Sequence, residues 1–495
     1  MSNLKNDDKD SMKEKTLFIA EALPGSGKST KFIQSLPQLI IDNNIVYAMP
    51  TNKLIKELAL DINVKAGISP LVITSETVDH VTLHLERVLA LNSAPLIMIT
   101  HEALRRVNPK LLDGWELVVD EVPSVSDCKA HLFDSGSYLG SIANYIDISP
   151  SKKASLKPEY TSLIEGMIKS KDSSALSNTA IDVLKALTEA KCSVEVEALS
   201  AKGKRLVRIV SYRDFLSAFS YANSVHILAN NVRDTLLGIH ATYQGWQFEP
   251  SIFTPEFDGY GKRVELHPFL TGKYSKTQSM MQRNGKSADA WDDGVQLADW
   301  LHCVTAMIGN EESLAFMHEW VKYNFKSNVT TLPIDSRGIN GYQDRRIAIC
   351  LQHGNVSPDD ALSFHSLSDM LGVPVQEIRK AIEFERFYES TLQAIARTSL
   401  RDRDNMEPVL LFVQNMDMAN YLQGLLGRLA VINTELVMTP WEKEKSDLKK
   451  AKAMLQAEAI SLFIEKGLDR KTIASELDVN YVTIRRWTKG LDQAA

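Results

Sequence analysis

The sequence predicts an α/β protein with two parallel-sheet domains and a small all-helical module at its carboxy-terminal end. The first observation is a series of short apolar strands that alternate with helical stretches, as buried parallel strands and their crossover helices do. The second is a repeat of this alternation from about residue 255, and the third is a change to Lys, Glu and Ala after about residue 440. A chain of 495 residues also needs more than one core, since single cores stop growing at about 250 to 300 residues.

The first domain is predicted at residues 16–250. Its strand-like segments are TLFIAEA at 16–22, NIVYAMP at 44–50, PLVITSE at 70–76, PLIMITH at 95–101 and WELVVDE at 115–121. Helix-forming residues fill 52–63 and 78–91, which indicates repeated βα crossovers. Residues 125–200 are less regular and rich in Ser and Lys, so we expect a helical insertion there. RLVRIVSY and SVHILAN would then supply the last strands of the domain.

A second α/β domain is predicted at residues 251–440. Its segments are the strand KRVELHPFL, a helix at about 292–310, and the strands NVTTLPI at 328–334, RRIAICLQ, and EPVLLFVQN at 407–415. Residues 441–495 read as a helical linker followed by the small module, and the polar residues 1–15 are expected to be disordered.

Composition limits the class of protein. The net charge is -6, so any contact with nucleic acid must come from local basic clusters. The four cysteines lack a CxxC pair or metal-ligand spacing, which is typical of reduced cytosolic thiols; they are Cys128, Cys192, Cys303 and Cys350. The apolar runs are strand-sized and the charged N-terminus precedes no hydrophobic region. We therefore expect a cytoplasmic protein without a signal peptide or membrane partner.

The segment TLFIAEALPGSGKST is a strand, a Gly-rich turn and a helix start, which is typical of a phosphate-binding loop. Backbone N–H groups of such a turn point at phosphate oxygens, and the helix dipole adds to their attraction. The candidate nucleotide-binding residues are Pro24, Gly25, Ser26, Gly27, Lys28, Ser29 and Thr30. Lys28 would reach the β- and γ-phosphates and Ser29 would bind Mg²⁺. Ala22 replaces the first Gly of the usual pattern, and a Gly-rich turn before an ordinary helix is the alternative.

A second motif, LVVDEV at 117–122, ends a predicted strand with two carboxylates. Open α/β sheets bind ligands at the carboxyl ends of their strands, so both side chains would face the nucleotide. Asp120 would hold Mg²⁺ through water, and Glu121 would polarise the attacking water. The alternative is a strand end with a solvated acidic pair.

Together these motifs resemble the superfamily 2 helicases and translocases, in which DEVP would take the place of the family's Asp-Glu-x-x motif. The resemblance implies two RecA-like P-loop domains with ATP bound between them and Mg²⁺ as cofactor. AMPTNKLIKEL and ITHEALRRV are similar to its backbone-contacting motifs, which makes Thr51, Thr100 and His101 nucleic-acid candidates. Helix capping is the alternative for the threonines.

Three later segments extend the resemblance. Ala229-Asn230-Asn231 is a degenerate form of the family's Ser-Ala-Thr coupling motif. IDSRGIN resembles motif V, so Arg337 would contact nucleic acid and Gly338 the nucleotide. STLQAIARTSLRDRDN resembles motif VI: Gln393, Arg397 and Arg401 recur every four residues and would share a helix face. Either arginine could be the finger that stabilises transition-state charge, and Arg397 is the better candidate by its distance from Gln393. A solvated amphipathic helix with basic residues is the alternative.

The segment 457–491 resembles the helix-turn-helix of resolvases and transposon-associated regulators. Val482, Ile484 and Trp487 would form the buried side of its second helix. The outward candidates for duplex DNA are Tyr481, Thr483, Arg485, Arg486 and Lys489. A helical hairpin for protein contacts is the alternative.

The sequence therefore predicts an Mg²⁺- and ATP-dependent helicase or translocase that acts on nucleic acid. We expect single-stranded DNA at the motor, duplex DNA at the carboxy-terminal module, and replication proteins as partners. The combination suits a replication or repair protein of a phage, plasmid or mobile element. The rival is an ATP-switched DNA-binding regulator or replication initiator that separates no strands.

Overall fold

The computed structural model describes residues 15–170, 176–335, 341–356, 358–402, 404–438 and 440–491. Among these residues, helices long and apolar enough to cross a membrane are absent.

The strands fall into three sheets. In chain order they are β1 (Thr16–Glu21), β2 (Asn44–Met49), β3 (Leu71–Ile73), β4 (Leu96–Thr100), β5 (Trp115–Asp120), β6 (Ser126–Asp134), β7 (Ile146–Ile148), β8 (Lys153–Leu156), β9 (Cys192–Val196), β10 (Lys204–Tyr212), β11 (Ser224–Ala229), β12 (Gln247–Pro250), β13 (Val264–Leu270), β14 (Ser313–Met317), β15 (Val329–Pro333), β16 (Ile347–Cys350), β17 (Val409–Asn415) and β18 (Ala430–Ile432).

The helices follow the same order. They are α1 (Lys28–Asp42), α2 (Asn52–Ala66), α3 (Val81–Leu91), α4 (His101–Arg106), α5 (Ser135–Ser141), α6 (Thr161–Ser170), α7 (Asn178–Thr188), α8 (Leu216–Tyr221), α9 (Leu236–Tyr243), α10 (Lys276–Ser279), α11 (Gln296–Ile308), α12 (Pro358–Leu371), α13 (Val375–Glu383), α14 (Ser390–Ile395), α15 (Met416–Leu426), α16 (Pro440–Ile464), α17 (Arg470–Glu476) and α18 (Tyr481–Trp487). One π-helical turn, Phe384–Glu389, joins α13 to α14.

The chain divides into two compact units. The first unit is Met1–Gly261, Ile334–Asp344 and Gln352–Met406; the second is Lys262–Pro333, Arg345–Leu351 and Glu407–Ala495. Residues 352–406, which the sequence assigns to the second domain, thus cluster with the first.

A seven-stranded sheet in the order β12-β1-β11-β5-β2-β4-β3 forms the centre of the first unit. All its pairings are parallel. The inner strands are largely buried on both faces because crossover helices cover them, which explains their near-continuous apolar runs, whereas the edge strand β12 is mostly exposed. The five strands predicted between residues 16 and 121 are all present. Since β11 lies between β1 and β5, the loops after these three strands open at one edge of the sheet.

The insertion after β5 differs from the helical segment that the sequence suggested. It contains a five-stranded antiparallel sheet in the order β6-β10-β9-β8-β7 with α5, α6 and α7. RLVRIVSY also lies here, as β10, and pairs with β6 and β9 instead of extending the parallel sheet. The strands β7 and β8 span only three and four residues, so their two-residue periodicity is too short to stand out.

Helices α12 and α13 attach residues 352–406 to the first unit. Their apolar side chains join the main core cluster of that unit; they are Phe364, Leu367, Leu371, Ile378, Ala381 and Ile382. Polar contacts reinforce the attachment, since Ser366 Oγ donates to Glu195 Oε1 at 2.5 Å and Lys153 Nζ lies 2.6 Å from Asp369 Oδ2.

The second unit contains a six-stranded sheet in the order β15-β14-β16-β17-β13-β18, and its pairings are also parallel. The α/β class with a parallel sheet in each unit is thereby confirmed, an arrangement consistent with two RecA-like domains.

The last three helices of the second unit form a small cluster. Ala459, Leu462, Ile473 and Ile484 are its buried residues, and Trp487 packs partly against them. The expectation for Val482 is wrong, since its side chain is 70% exposed. Val482 lies two residues from the buried Ile484, and this offset turns it away from the inner face of α18.

Candidate nucleotide site of the first unit

The loop between β1 and α1 has the tight backbone that a phosphate-binding turn requires. Gly25 has φ 78° and Gly27 has φ 98°, a region that side-chain-bearing residues rarely adopt. The N–H of Ser26 donates to Leu23 O at 3.2 Å, and Lys31 N donates to Gly27 O at 2.8 Å, which starts α1. The Ser26 hydroxyl is buried and has no hydrogen-bond partner among the described residues. An unpaired buried donor inside the loop fits an anionic ligand.

Lys28, the first residue of α1, folds its side chain back onto the loop. Its Nζ donates to Ala22 O at 2.5 Å and to Leu23 O at 3.1 Å. Burial lowers the pKa of Lys28 to about 8, while the carboxylates of Asp120, Glu389 and Glu121 oppose that shift. A protonated amine in this environment is a strong site for phosphate oxygens.

Ser29 and Asp120, the two predicted Mg²⁺ ligands, are hydrogen-bonded to each other. Ser29 Oγ donates to Asp120 Oδ2 at 3.1 Å, and Tyr47 OH donates to the same oxygen at 2.8 Å. Burial raises the pKa of Asp120, although the hydrogen bonds from Tyr47 and Ser29 and the charge of Lys28 favour its ionised form. A hydroxyl and a carboxylate are the oxygen ligands that Mg²⁺ prefers, so this pair fits the ion. Groups of three or more His, Cys, Asp or Glu suited to a metal are absent from the described residues.

Tyr47 was not among the residues that the sequence pointed to. It lies in the middle of the buried strand β2 and is itself fully buried. A buried tyrosine hydroxyl nearly always has a hydrogen-bond partner, so a tyrosine inside an apolar strand was a usable signal for a neighbouring polar site.

Glu121 follows Asp120 in a strained conformation. Its φ is 62°, a left-handed value that costs an ordinary residue about 1 to 2 kcal/mol. The Glu121 N–H donates to Leu228 O at 3.1 Å, which anchors the turn to β11. Strain of this kind persists where the surroundings over-determine it, often at functional sites.

The arginine segment departs from the predicted single helix face. Helix α14 ends at Ile395, and a 3₁₀ turn, Ser399–Arg401, follows. The Thr398 hydroxyl causes the break, because it donates to Ile395 O at 2.6 Å and accepts from Leu400 N at 3.3 Å. Side chains four residues apart therefore do not share a face beyond Ile395.

The break directs Arg401 to the phosphate-binding loop. A Cβ atom placed on Gly25 would lie 2.6 Å from Arg401 Nε, so the arginine side chain lies directly against this glycine. Arg397 is 9% exposed, and burial together with Arg401 lowers the pKa of Arg397, while Glu121 opposes the shift. Both arginines belong to the same unit as the loop, whereas the sequence assigned them to the second domain.

Gln393 is engaged by a carboxylate that the sequence did not single out. Gln393 Nε2 donates to Glu389 Oε1 at 2.9 Å. Tyr260, also unforeseen, donates its hydroxyl to Pro24 O at 2.6 Å. Both missed residues lie outside any motif, and only their contacts identify them.

The nucleic-acid candidates of the first unit have structural roles. Thr51 accepts a hydrogen bond from Leu54 N at 3.2 Å and Thr100 accepts one from Ala103 N at 3.1 Å, so both cap helices. Since a threonine oxygen that accepts still carries its own donor hydrogen, capping leaves the hydroxyl able to bind phosphate. His101 Nε2 lies 3.0 Å from the backbone oxygen of Asp120. Arg337 and Gly338 lie outside the described residues.

The candidates of the second unit lie on α18. Tyr481, Arg485 and Arg486 are exposed and Thr483 is partly exposed. Asn480 Oδ1 accepts from Val482 N at 2.8 Å and so caps the helix that presents them.

No protein-family model matches the chain, and no curated protein matches it. Among solved structures, S. cerevisiae Dbp5 bound to RNA and ADP BeF3 is 10% identical, with 88% of this chain and 89% of that chain covered and a TM-score of 0.35. The DEAD-box helicase Mss116 bound to ssRNA and UDP-BeF is 11% identical, with 96% and 82% covered and a TM-score of 0.31. A hypothetical ATP-dependent RNA helicase from Sulfolobus tokodaii is 11% identical, with 83% and 91% covered and a TM-score of 0.23.

Proposed function

We propose that this chain is an ATP-dependent nucleic-acid helicase or translocase of the superfamily 2 type. The observation that carries the proposal is the 3.1 Å hydrogen bond from Ser29 Oγ to Asp120 Oδ2, across 91 positions of sequence. A serine that follows a loop lysine and a carboxylate that ends a buried parallel strand are the two oxygen donors that a nucleotide-bound Mg²⁺ requires.

Each residue of the site has a role in this proposal. The loop N–H groups and Lys28 bind the phosphates, and Ser29 and Asp120 would hold Mg²⁺, whose charge would offset that of the phosphate oxygens. Glu121 orients the attacking water. Arg401 stabilises charge on the transferred phosphoryl group, an effect worth about 10³ to 10⁵ in rate in related chemistry.

Thr51, Thr100 and the segment with Arg337 would contact the backbone of single-stranded nucleic acid. The candidate helix-turn-helix, α17 and α18, would bind duplex DNA and recruit the motor to a replication site. Exposed Arg485 and Arg486 at one helix end support this assignment, because basic side chains make most phosphate contacts.

The test is ATP turnover with and without single-stranded nucleic acid, followed by strand displacement on a tailed duplex. We expect turnover to rise with the single strand, and Glu121→Gln to abolish turnover while ATP still binds. Turnover that is indifferent to every nucleic acid would contradict the motor assignment.

A second candidate is an ATP-switched DNA-binding regulator or replication initiator. Arg401 and the phosphate-binding loop lie in the same unit. This placement favours an ATP switch, because one unit alone would supply both the lysine and the arginine that contact the nucleotide. ATP-dependent duplex binding without strand displacement would support this candidate over the motor.

A further inference from the structure

A hydrogen-bonded pair connects the nucleotide edge of the parallel sheet to the segment that carries the arginines. Asn230 Nδ2 donates to Glu389 Oε2 at 3.0 Å. Asn230 directly follows β11, in which Ala229 is level with Glu21 of β1 and Leu228 is level with Asp120 of β5. The amide of Asn230 is therefore at the edge where both the phosphate-binding loop and the carboxylates emerge.

Glu389 accepts from neutral amides at both of its oxygens. Gln393 Nε2 donates to Oε1 at 2.9 Å, and Asn230 donates to Oε2. Burial raises the pKa of Glu389, while both amides and the charge of Lys28 favour the carboxylate. Two neutral amides offset the cost of burying a carboxylate less than a cation would. The presence of Glu389 at this place therefore points to a role in positioning.

The arginine segment is fastened at a second point. Glu385 Oε1 accepts from Leu236 N at 2.7 Å, at the start of α9. Glu385 and Glu389 belong to the π-helical turn Phe384–Glu389, and such turns occur frequently at functional sites. Helix α14 begins immediately after this turn, and the chain then reaches Arg401 at Gly25.

We propose that Asn230 and Glu389 form a positioning pair for nucleotide hydrolysis, which holds the segment after Glu389 so that Arg401 lies against the phosphate-binding loop. The inference rests on the proposed function. The pair also accounts for Asn230, which lies in the degenerate form of the coupling motif. Its side chain would keep the segment that carries Arg401 at a constant place relative to the edge of the sheet.

An exchange of the two side-chain chemistries tests the pair. Asn230→Asp places two carboxylates together. Glu389→Gln replaces the charged acceptor of both amides by a neutral amide, which can pair with Asn230 only if one of the two amides turns over. In the double variant, the amide introduced at position 389 would donate to the carboxylate introduced at position 230, while the carbonyl oxygen of that amide still accepts from Gln393. Both hydrogen bonds are thereby restored, the one between positions 230 and 389 with reversed direction.

We expect each single variant to lower kcat by about tenfold to a hundredfold, because a misplaced charge loses transition-state stabilisation, with little change in KM. The double variant should recover to within about threefold of wild type. In the nucleotide-free protein, hydrogen exchange of residues 396–401 should rise in the singles and return to normal in the double. Glu377→Gln, on the surface of α13 and paired with Lys380, is the matched control and should behave as wild type.

Two results would overturn the inference. One is single variants with wild-type kcat and wild-type exchange, and the other is a double variant that is no better than the worse single. If wild type hydrolyses no ATP but exchange still follows the expected pattern, the proposed function fails and the positional pair stands. If wild type is an active ATPase and the exchange pattern fails, only the pair is refuted.

Discussion

Lys28 shows how the site controls the charge of a single residue. Burial disfavours the ammonium form of Lys28, and the negative charges of Asp120, Glu389 and Glu121 stabilise it in part. An amine that titrates close to neutral pH binds phosphate strongly only while protonated.

We therefore predict that ATP affinity falls as pH rises above about 8. Below that pKa Lys28 carries its charge in the free protein, and above it the proton must be taken up on binding. The dissociation constant should rise by up to about tenfold per pH unit. Titration with a fluorescent ATP analogue from about pH 7 to about pH 9.5 spans this transition. Lys28→Arg should remove the dependence, and a flat wild-type profile would contradict the prediction.

Tyr47 acts through Asp120. Tyr47→Phe removes the donor at 2.8 Å, and we predict that the Mg²⁺ concentration for half-maximal turnover rises by about tenfold, since residues that orient a metal ligand commonly have effects of this size. Turnover measured against Mg²⁺ concentration tests this. Tyr145→Phe, in the insertion, is the control, and an unchanged Mg²⁺ requirement in Tyr47→Phe would refute the role.

At the scale of elements, the antiparallel insertion depends on a buried cation between two acidic residues. The Arg208 side chain is 2% exposed and lies 3.1 Å from Glu195 Oε2 and 2.8 Å from Glu197 Oε1. Ser366 of α12 donates to the other oxygen of Glu195, so the same network attaches residues 352–406 to the insertion.

We predict that Arg208→Met destabilises the first unit by about 3 to 5 kcal/mol, because it deprives both carboxylates of their buried cation. Lys152→Met is the matched control: it removes an exposed partner of the same Glu197 and should cost under about 1 kcal/mol. Urea unfolding followed by circular dichroism measures both. If both substitutions lowered the free energy of unfolding equally, burial of the Arg208 ion pairs would make no difference to stability, and the prediction would be wrong.

At the scale of the whole molecule, the proposal assigns nucleotide chemistry to the first unit and duplex binding to the last helices of the second. The two sites lie on separate parts of the chain, so their functions should be separable by mutation.

We predict that Lys28→Ala abolishes turnover and leaves duplex binding intact. The double substitution Arg485→Gln and Arg486→Gln should weaken duplex binding by about tenfold or more and reduce its salt dependence, because two phosphate contacts are lost. Basal turnover should remain normal in that variant. ATPase assays and duplex titrations at two salt concentrations give the answer, and the loss of both activities in either variant would contradict separable modules.

The sequence by itself missed β12, β14 and β18, which span only three to five residues. It determined β1 to β5 and β11 of the first parallel sheet, β13 and β15 to β17 of the second, the Gly-rich turn between β1 and α1, and the proximity of Ser29 and Asp120. These features depend on local periodicity and on the rule that parallel strands end at one edge of a sheet. These rules could not predict the helix break at Thr398. A threonine within a helical pattern ends the helix only where its hydroxyl finds backbone hydrogen-bond partners, and the sequence does not show those.

Only the tertiary structure decided to which unit Arg397 and Arg401 belong and which residues surround them. Phe364 and Ile378 are ordinary apolar side chains, and nothing in their spacing says which core they join. Tyr47, Tyr260 and Glu389 likewise gain meaning from contacts that span 73, 236 and 159 positions of sequence. Local patterns encode secondary structure, whereas such pairings depend on the packing of the complete chain, and packing placed Arg401 beside Gly25.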